Sequence, residues 1–313
     1  MQSITKESEN TIDIIGVLKE RNVEESKTKE GKQYVKGTAT ISTVTEVEGK
    51  AVESEHKIDK MVFRLKKDGT PNKLYDAVLD WNKLVSLASA TEQTPASRVV
   101  LQSSSIEENM WVPSGKEEVA SNPKIKVGWL KTSNEDKDKA EFTLTGVVVK
   151  EPYDEEKDGT PTGRLRLKMG VFGYCDASQN PDGNIHIIDL IVASEAGVNW
   201  FRSNVKEYDT IRVQGDIINS HKTVITEVSE GFGVIQKLNT VSDKEFRVRA
   251  AVVLQYDDDL IYDASDVKRA LKARLARKED VLTRAKERAA NASASASAKG
   301  GLSDFGLDGV IPF

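Results

Sequence analysis

The chain has 313 residues, of which 38% are hydrophobic and 30% charged, a composition typical of a folded protein long enough for two domains. It contains no apolar run of about 18 residues and no basic-then-apolar leader, so we expect neither a membrane span nor a secretory signal. Because the net charge is -5, nucleic-acid binding cannot be inferred from bulk charge and would need basic residues sorted onto one face.

The first β-rich segment covers residues 10–132. Strand-like runs such as TIDIIGVLKERNVE and QYVKGTATISTVTEV are separated by polar, glycine-containing sequence, and HKIDKMVFRLKK ends at the turn signal DGTPN. The stretch NKLYDAVLDWNKLVSLAS predicts one helix because its apolar residues recur in steps of three and four, with Trp81 on the core side. Strands with a helix between the third and the fourth follow the order of a five-stranded OB barrel.

The second β-rich segment covers residues 138–236 and repeats this order. About five strands are predicted, with the short helical stretch EAGVNWFRSNVKEY between the third and the fourth. We therefore predict a mainly β fold built from tandem OB-like barrels. A pair of unrelated β-sandwiches is the alternative, because periodicity does not reveal the order of strands in a sheet.

Residues 237–290 predict an appendage to the second barrel, made of a strand and a basic helix. The helix, ASDVKRALKARLARKEDVLTRAKERAA, has a thin apolar stripe formed by Val267, Leu271, Leu275, Leu282 and Ala285. We expect it to pack on the preceding domain, with nucleic-acid binding and self-association as the alternatives. Residues 291–313 predict a flexible linker, NASASASAKGG, and a closing segment, LSDFGLDGVIPF, whose apolar side chains need another surface to bury them.

Three strands carry alternating cations. In GRLRLKMGVF the apolar side chains should fill a core and the basic ones should face outward, and KEFRVRAAVV repeats the pattern. HKIDKMVFRLKK follows it less cleanly, with Met61, Phe63 and Leu65 on the expected core side and Lys60, Arg64 and Lys66 on the opposite side. A row of cations favours phosphates because each neutralised phosphate releases counterions. The alternative is that these cations only keep the strands soluble and protect sheet edges. The predicted phosphate contacts are Arg164, Arg166, Lys168, Arg202, Arg212, Lys60 and Arg64.

Single-stranded nucleic acid also needs flat side chains on which bases stack, worth roughly 1–3 kcal/mol per base. Most aromatic residues of small barrels lie in the core. We expect Tyr174, Trp200 and Trp111 to be the exposed ones that stack on bases.

A search of the sequence for catalytic chemistry finds little. The histidines His56, His186 and His221 have no partners at metal-ligand spacing, and the lone Cys175 has no evident base. Phosphate-binding glycine motifs are missing, and the run Asp257-Asp258-Asp259 is expected to be solvated. We therefore expect no enzyme, no catalytic residue, no metal and no cofactor; a metal-dependent nuclease would have to use the aspartate run.

The closing segment resembles the C-terminal tail of bacterial single-stranded-DNA-binding proteins, in which a linker ends in acidic residues followed by Ile-Pro-Phe. Ile311, Pro312 and Phe313 match that ending, and Asp304 and Asp308 stand where the acidic residues belong. A weaker similarity lies in NWFRSNVKEYDTIRVQGDI, which is similar to the family's segment between the barrel helix and the next strand. The tandem arrangement suggests a phage-type relative of the family.

The resemblance implies a protein that coats single-stranded DNA during replication, recombination or repair, in the cytoplasm of the cell or of a phage host. In this family the tail recruits other replication, recombination and repair proteins. Carried over to this chain, the tail residues that bind partners are Asp304, Phe305, Asp308, Ile311, Pro312 and Phe313. The alternative function is a protein-interaction scaffold whose barrels bind protein and have no direct role on DNA.

Overall fold

The computed structural model describes residues 6–174, 184–229, 234–255 and 260–299. Within these residues the fold is mainly β and ends in a long helix, as the sequence predicted. The described helices are all too short or too polar to cross a lipid bilayer.

The first barrel is built from a meander of three strands and two shorter strands. The strands are β1 (Asn10–Lys27), β2 (Gln33–Val47), β3 (Lys50–Phe63) and β4 (Arg98–Gln102), followed by the hairpin β5 (Ser105–Trp111) and β6 (Ala120–Lys126), and then β7 (Trp129–Thr132). They pair in the order β3-β2-β1-β4-β7, and within the described residues β5 and β6 form a separate two-stranded sheet. The hairpin is therefore an insertion between the fourth and fifth barrel strands.

A short helix, α1 (Lys73–Leu79), lies between β3 and β4, as predicted, and continues into the 3-10 turn Asp80–Lys83. The side chain of Asn72 caps α1 by accepting a hydrogen bond from the backbone N–H of Leu74. The Trp81 ring that follows is buried against Gly37 of β2, where a Cβ would lie only 2.7 Å from the ring. Glycine at position 37 therefore lets the helical segment pack directly on the sheet.

The second barrel is closed. Its elements are β8 (Lys139–Lys157), β9 (Thr160–Phe172), β10 (Ile185–Val192), α2 (Glu195–Asn204), β11 (Thr210–Ser229) and β12 (Val234–Val253). The pairing order is β8-β9-β10-β12-β11, and β11 returns to pair with β8; among the strand pairs that the structure describes, only that of β10 with β12 is parallel. Five strands in this order, with a helix between the third and the fourth, form an OB barrel, which rules out the sandwich alternative for this segment.

The last two barrel strands are longer than the sequence indicated. DTIRVQGDIIN and KTVITEVS belong to one strand, β11, rather than two. The boundary predicted at residue 236 falls within β12, so KEFRVRAAVV, assigned by sequence to the appendage, supplies the fifth strand that closes the barrel.

The two barrels share one sheet. Residues 10–15 of β1 pair antiparallel with residues 139–144 of β8. Within the first barrel, the side-chain amide of Asn10 makes two hydrogen bonds of 2.8 Å to the backbone of Ile106 in the hairpin, one as donor and one as acceptor. Buried residues of both barrels belong to one continuous core, so the barrels are joined rather than linked by a free segment.

The C-terminal helix, α3 (Ala264–Lys299), begins against the second barrel. Val267 and Ala270 are buried there in a cluster with Phe172 and Tyr262, whose rings stack 4.5 Å apart. The expectation that the helix packs on the preceding domain is therefore met by its first turns. Leu275, predicted to lie on the apolar stripe, is instead more than half exposed because the buried face passes through Val267, Ala270 and Leu271.

Candidate nucleic-acid interface

The outward face of β3 carries the apolar residues that the sequence assigned to the core. Met61, Phe63 and Leu65 are 57%, 38% and 54% exposed, so the prediction that they point inward is wrong. The inward face is set by Ile58 and Val62, which are buried. Since side chains alternate along a strand, burying positions 58 and 62 places positions 61 and 63 outside.

The predicted phosphate contact Lys60 lies on the inward side of β3. Its ammonium group donates hydrogen bonds to the backbone carbonyls of Val127, at 2.6 Å, and Gly128. Burial lowers the pKa of Lys60, and the nearby charge of Lys126 adds to that effect. Lys60 therefore connects β3 to the segment that precedes β7, which is a structural task.

A groove of about 670 Å³ lies between the end of β3 with the turn that follows it and the β5–β6 hairpin. We call it the basic groove, because five lysines line it together with the exposed apolar residues at the end of β3 and just after it: Lys60, Lys66, Lys67, Lys124 and Lys126. The lysines of β6 stand on one face of the hairpin, since Lys124 lies opposite Glu107 and Lys126 opposite Ser105 in the ladder.

The groove cations differ in how firmly they are held. Lys124 pairs with Asp59 at 2.8 Å, and Lys126 pairs with Glu107 at 2.5 Å, in both cases with substantially exposed side chains. Lys66 and Lys67 are exposed and form no ion pair with any residue that the structure describes. Exposed pairs are worth little, so a phosphate can replace the carboxylate partner of either hairpin lysine at small cost.

The aromatic side chain of the groove is supported from β2. Phe63 and Tyr34 lie opposite each other in the ladder and make an edge-to-face contact with ring centroids 6.2 Å apart. This contact fixes the position of the Phe63 ring while leaving part of it accessible. The basic groove thus combines an accessible, supported ring with flanking ammonium groups.

The predicted cations of β9 face outward, as the alternation indicated, but each is already paired. Leu165, Leu167 and Met169 are fully buried beneath them. Arg164 sits between Glu155 and Glu245 at 3.1 and 2.5 Å, Arg166 pairs with Glu155 at 2.9 Å, and Lys168 pairs with Asp189 at 3.0 Å. These pairs neutralise the row within the protein, and the role of its cations on DNA stays a prediction.

The remaining predicted phosphate contacts are dispersed. Arg202 pairs with Asp154, and Arg212 pairs with Glu9 at 2.9 Å. Arg64, at the end of β3, donates a 2.7 Å hydrogen bond to the side chain of Gln33. The structure therefore does not gather the seven predicted cations at one place; Lys60 lines the basic groove, and Arg64 lies beside it.

The three predicted stacking residues also lie apart. Trp111, 38% exposed, is at the end of β5 and on the hairpin face that carries Lys124 and Lys126, beyond the residues that line the groove. Tyr174 follows β9 and is 68% exposed. Trp200 is half-buried on α2, packed edge-to-face on Phe201 at 5.1 Å. Of the three, Trp111 is the one that lies on the hairpin that forms a wall of the groove.

Other predicted features have a structural place or fall outside the structure. His56 is buried and shares a 3.0 Å hydrogen bond with Thr43. Within the described residues there is no group of three or more potential metal-binding side chains. Cys175, the run Asp257–Asp259 and the tail residues Asp304, Phe305, Asp308, Ile311, Pro312 and Phe313 lie outside the described residues.

Sequence reasoning missed the residues that make the groove. Phe63, Met61 and Leu65 were assigned to the core, and the lysines of the turn and the hairpin were not singled out: Lys67, Lys124 and Lys126. The available signal was the alternation in PKIKV, which puts two lysines on one side of a strand.

The sequence matches the model of the YorF family over residues 8–287. The chain belongs to this family. No curated protein sequence matches it.

Two similar solved structures are crystal structures of the single-stranded DNA binding protein from Thermus aquaticus. The wild-type protein has 11% identity and a TM-score of 0.48, covering 83% of this chain and 99% of that chain. A deletion mutant of the same protein, which also carries an arginine-to-alanine substitution, has 11% identity and a TM-score of 0.47, covering 80% and 97%. The barrel assignment of the YorF-family chain rests on its own strand order and closure.

Proposed function

We propose that this protein binds single-stranded DNA without sequence preference and without catalysis, through the basic groove of its first barrel. The observation that carries the proposal is an exposed, supported aromatic ring between ammonium groups, two of which form no ion pair within the described part of the chain. Such a surface offers a stacking platform and phosphate contacts at once, which is what a single strand requires.

The local charge of the groove supports an anionic ligand. Five lysines line it against Asp59, Glu107 and Glu108, and the Glu108 carboxylate is already bound by Arg274. The whole chain has a net charge of -5, so this cluster departs from the rest of the molecule. A sorted patch of this kind attracts phosphates even on an acidic protein.

The apolar row supports a single strand rather than a duplex. The bases of a duplex are stacked on each other, whereas those of a single strand are free to stack on Phe63 and to contact Met61 and Leu65. The groove is lined by ammonium and apolar groups more than by paired donors and acceptors, so it favours sequence-tolerant binding over base readout.

A titration of the full chain against oligo-dT, duplex DNA and RNA, followed by tryptophan fluorescence and repeated at rising salt, tests this function. We expect oligo-dT to bind more tightly than duplex, with an affinity that falls as salt rises. Binding that is absent or insensitive to salt would reject the proposal, and RNA binding at equal strength would widen the ligand class to single strands in general.

A protein-interaction scaffold is the second candidate, because Met61 and Leu65 are aliphatic and more than half exposed, as in a peptide-binding surface. The DNA affinity of the variant Lys66→Gln/Lys67→Gln distinguishes the two functions. A scaffold with no role on DNA predicts no change in DNA affinity, whereas a strand-binding groove predicts a loss.

We also propose that the closing segment binds replication, recombination or repair proteins, and that the protein acts in the cytoplasm, as a phage-encoded protein in its host. The resemblance of Ile311, Pro312 and Phe313 to the tail of bacterial single-stranded-DNA-binding proteins supports this part. Deleting residues 302–313 should abolish capture of such partners from a host extract while DNA binding by the groove persists. Unchanged capture after the deletion would refute the role of the tail.

A further inference from the structure

One carboxylate joins three parts of the protein. Glu108 lies on β5 of the hairpin, and its side chain is only 1% exposed. Arg274 of α3 donates from Nε to Oε2 at 2.8 Å and from Nη2 to Oε1. The backbone N–H of Ile187 on β10 donates to Oε2 at 3.3 Å, and the backbone N–H of Glu108 donates to Nδ1 of His186 at 3.2 Å.

The pair is an ionised one. Burial opposes ionisation of the Glu108 carboxyl, but the hydrogen bonds and the charge of Arg274 outweigh burial and leave its pKa below the usual range. Arg277, one turn further along α3, donates to the backbone carbonyl of Ile185 at 2.7 Å. Neighbouring side chains of the helix therefore contact both barrels: Arg274 binds the hairpin of the first barrel, and Arg277 binds the second barrel.

The hairpin depends on such ties. Strands β5 and β6 form a two-stranded sheet of their own, separate from the main sheet. An isolated two-stranded hairpin is marginally stable in water, so side-chain contacts must fix its orientation. Three sets of contacts hold it: the hydrogen bonds of Asn10 to Ile106, the pair of Lys124 with Asp59 of β3, and the contacts of Glu108 to α3 and β10.

The same hairpin forms one wall of the basic groove. Glu108 lies opposite Pro123 in the ladder, so Lys124 and Lys126 follow immediately on the partner strand. Glu108 itself lines the groove between Glu107 and Asn109. A change in the tilt of the hairpin at position 108 moves both lysines relative to Phe63 on the opposite wall.

We propose that Arg274 is a positioning residue for strand binding: its pair with Glu108 holds the hairpin lysines across the groove from Phe63. This inference rests on the proposed function of the groove. It makes DNA affinity depend on a helix that does not line the groove. Without Arg274 the Glu108 carboxylate loses the cation that offsets its burial, and it regains contact with water only if the hairpin moves.

The test compares the variant Arg274→Gln with the unaltered full chain. We expect oligo-dT affinity at about 0.1 M salt to fall on the order of tenfold, with a shallower dependence on salt, because up to two phosphate contacts are lost. Amide hydrogen exchange in residues 105–111 should become faster while far-UV circular dichroism stays unchanged. A merely structural role would lower the melting temperature and leave the salt dependence as it was.

Two further variants make the result specific. Arg284→Gln removes an exposed arginine of the same helix, paired with Asp280 at 2.6 Å, and should change neither affinity nor exchange. Adding Glu108→Gln to Arg274→Gln removes the unpaired carboxylate and should restore part of the affinity. Equal affinity and equal salt dependence for Arg274→Gln and the unaltered chain would overturn the inference, with or without faster exchange. Absence of oligo-dT binding by the unaltered chain would instead overturn the proposed function.

Discussion

Removing the charge of Lys66 and Lys67 is the most direct test of the basic groove. Both side chains are exposed, lie in the turn after β3 and form no ion pair within the described residues. Their ammonium groups are therefore available to phosphates without displacement of a carboxylate. Because neither side chain is buried, the variant Lys66→Gln/Lys67→Gln should keep its stability to within about 0.5 kcal/mol.

The size of the effect follows from counterion release. Each phosphate contact to a single strand contributes about 0.7 to the slope of log affinity against log salt, so two contacts contribute about 1.4. At about 0.1 M salt, relative to 1 M, this corresponds to an affinity loss of about 25-fold, or about 2 kcal/mol. Fluorescence anisotropy of labelled oligo-dT between about 0.05 and 0.5 M salt measures both the affinity and the slope.

The matched control is Lys50→Gln/Lys137→Gln, which removes two exposed lysines that do not line the groove. We expect its salt dependence to parallel that of the unaltered chain. If the groove variant binds with the same affinity and the same slope as this control, Lys66 and Lys67 contact no phosphate and the groove argument fails.

Phe63→Ala should weaken oligo-dT binding by about 1–3 kcal/mol, which is the range for one stacked base. Phe63→Tyr and the exposed control Val44→Ala should bind oligo-dT normally, and equal dissociation constants for Phe63→Ala and Val44→Ala would exclude stacking at this ring. Burial, with a smaller contribution from the charge of Lys244, lowers the pKa of His56 from 6.5 to about 4. As the pH falls from 6.5 toward 4, the unfolded chain binds a proton at His56 before the folded chain does, so the free energy of unfolding decreases. Between pH 7.5 and 5.0 this residue should cost about 2 kcal/mol in urea unfolding, a loss that His56→Gln removes, and an identical pH dependence for the two proteins would contradict the assignment. Gly37→Ala should destabilise the fold by about 1–3 kcal/mol because the new Cβ would lie 2.7 Å from Trp81, and a melting temperature that is unchanged would mean the helical segment can shift.

The succession of strands and helices along the chain was predictable because it depends on local signals. Alternating apolar residues marked the strands, and a helical stretch between the third and fourth strands was recognisable in both segments, in the first from the spacing of its apolar residues. In β9, where every second residue is apolar, the alternation also identified the inward side chains: Leu165, Leu167 and Met169 are all buried. The residues that determine each strand or helix, and the inward face of β9, all lie within stretches of about ten residues.

The orientation of β3 was not predictable from its own residues. HKIDKMVFRLKK has apolar side chains on both faces, Ile58 and Val62 on one and Met61 and Phe63 on the other. The ladder with β2 places Val62 opposite Val35, which is fully buried, and so turns Phe63 outward beside Tyr34. Pairing with another strand chose between two faces that periodicity could not distinguish.

The state of the cations was also decided by distant parts of the chain. Arg164 meets Glu245, 81 residues away, and this carboxylate together with Glu155 neutralises it. Lys124 and Lys126 line the groove together with residues of β3 that precede them by more than 50 positions, and Lys124 pairs there with Asp59. The sequence shows where a lysine or an arginine occurs. Whether its charge can bind a phosphate depends on the carboxylates that lie near it in the folded structure.

By itself, the sequence determined a mainly β protein, the helices between third and fourth strands and the long basic helix, because periodicity, turn residues and composition act over short distances. Tertiary structure decided the closure of the second barrel, the outward face of β3 and the groove in which ammonium groups stay available. These features depend on contacts between residues that are distant in sequence. Burial and ion pairing arise from such tertiary contacts and not from any single stretch of the chain.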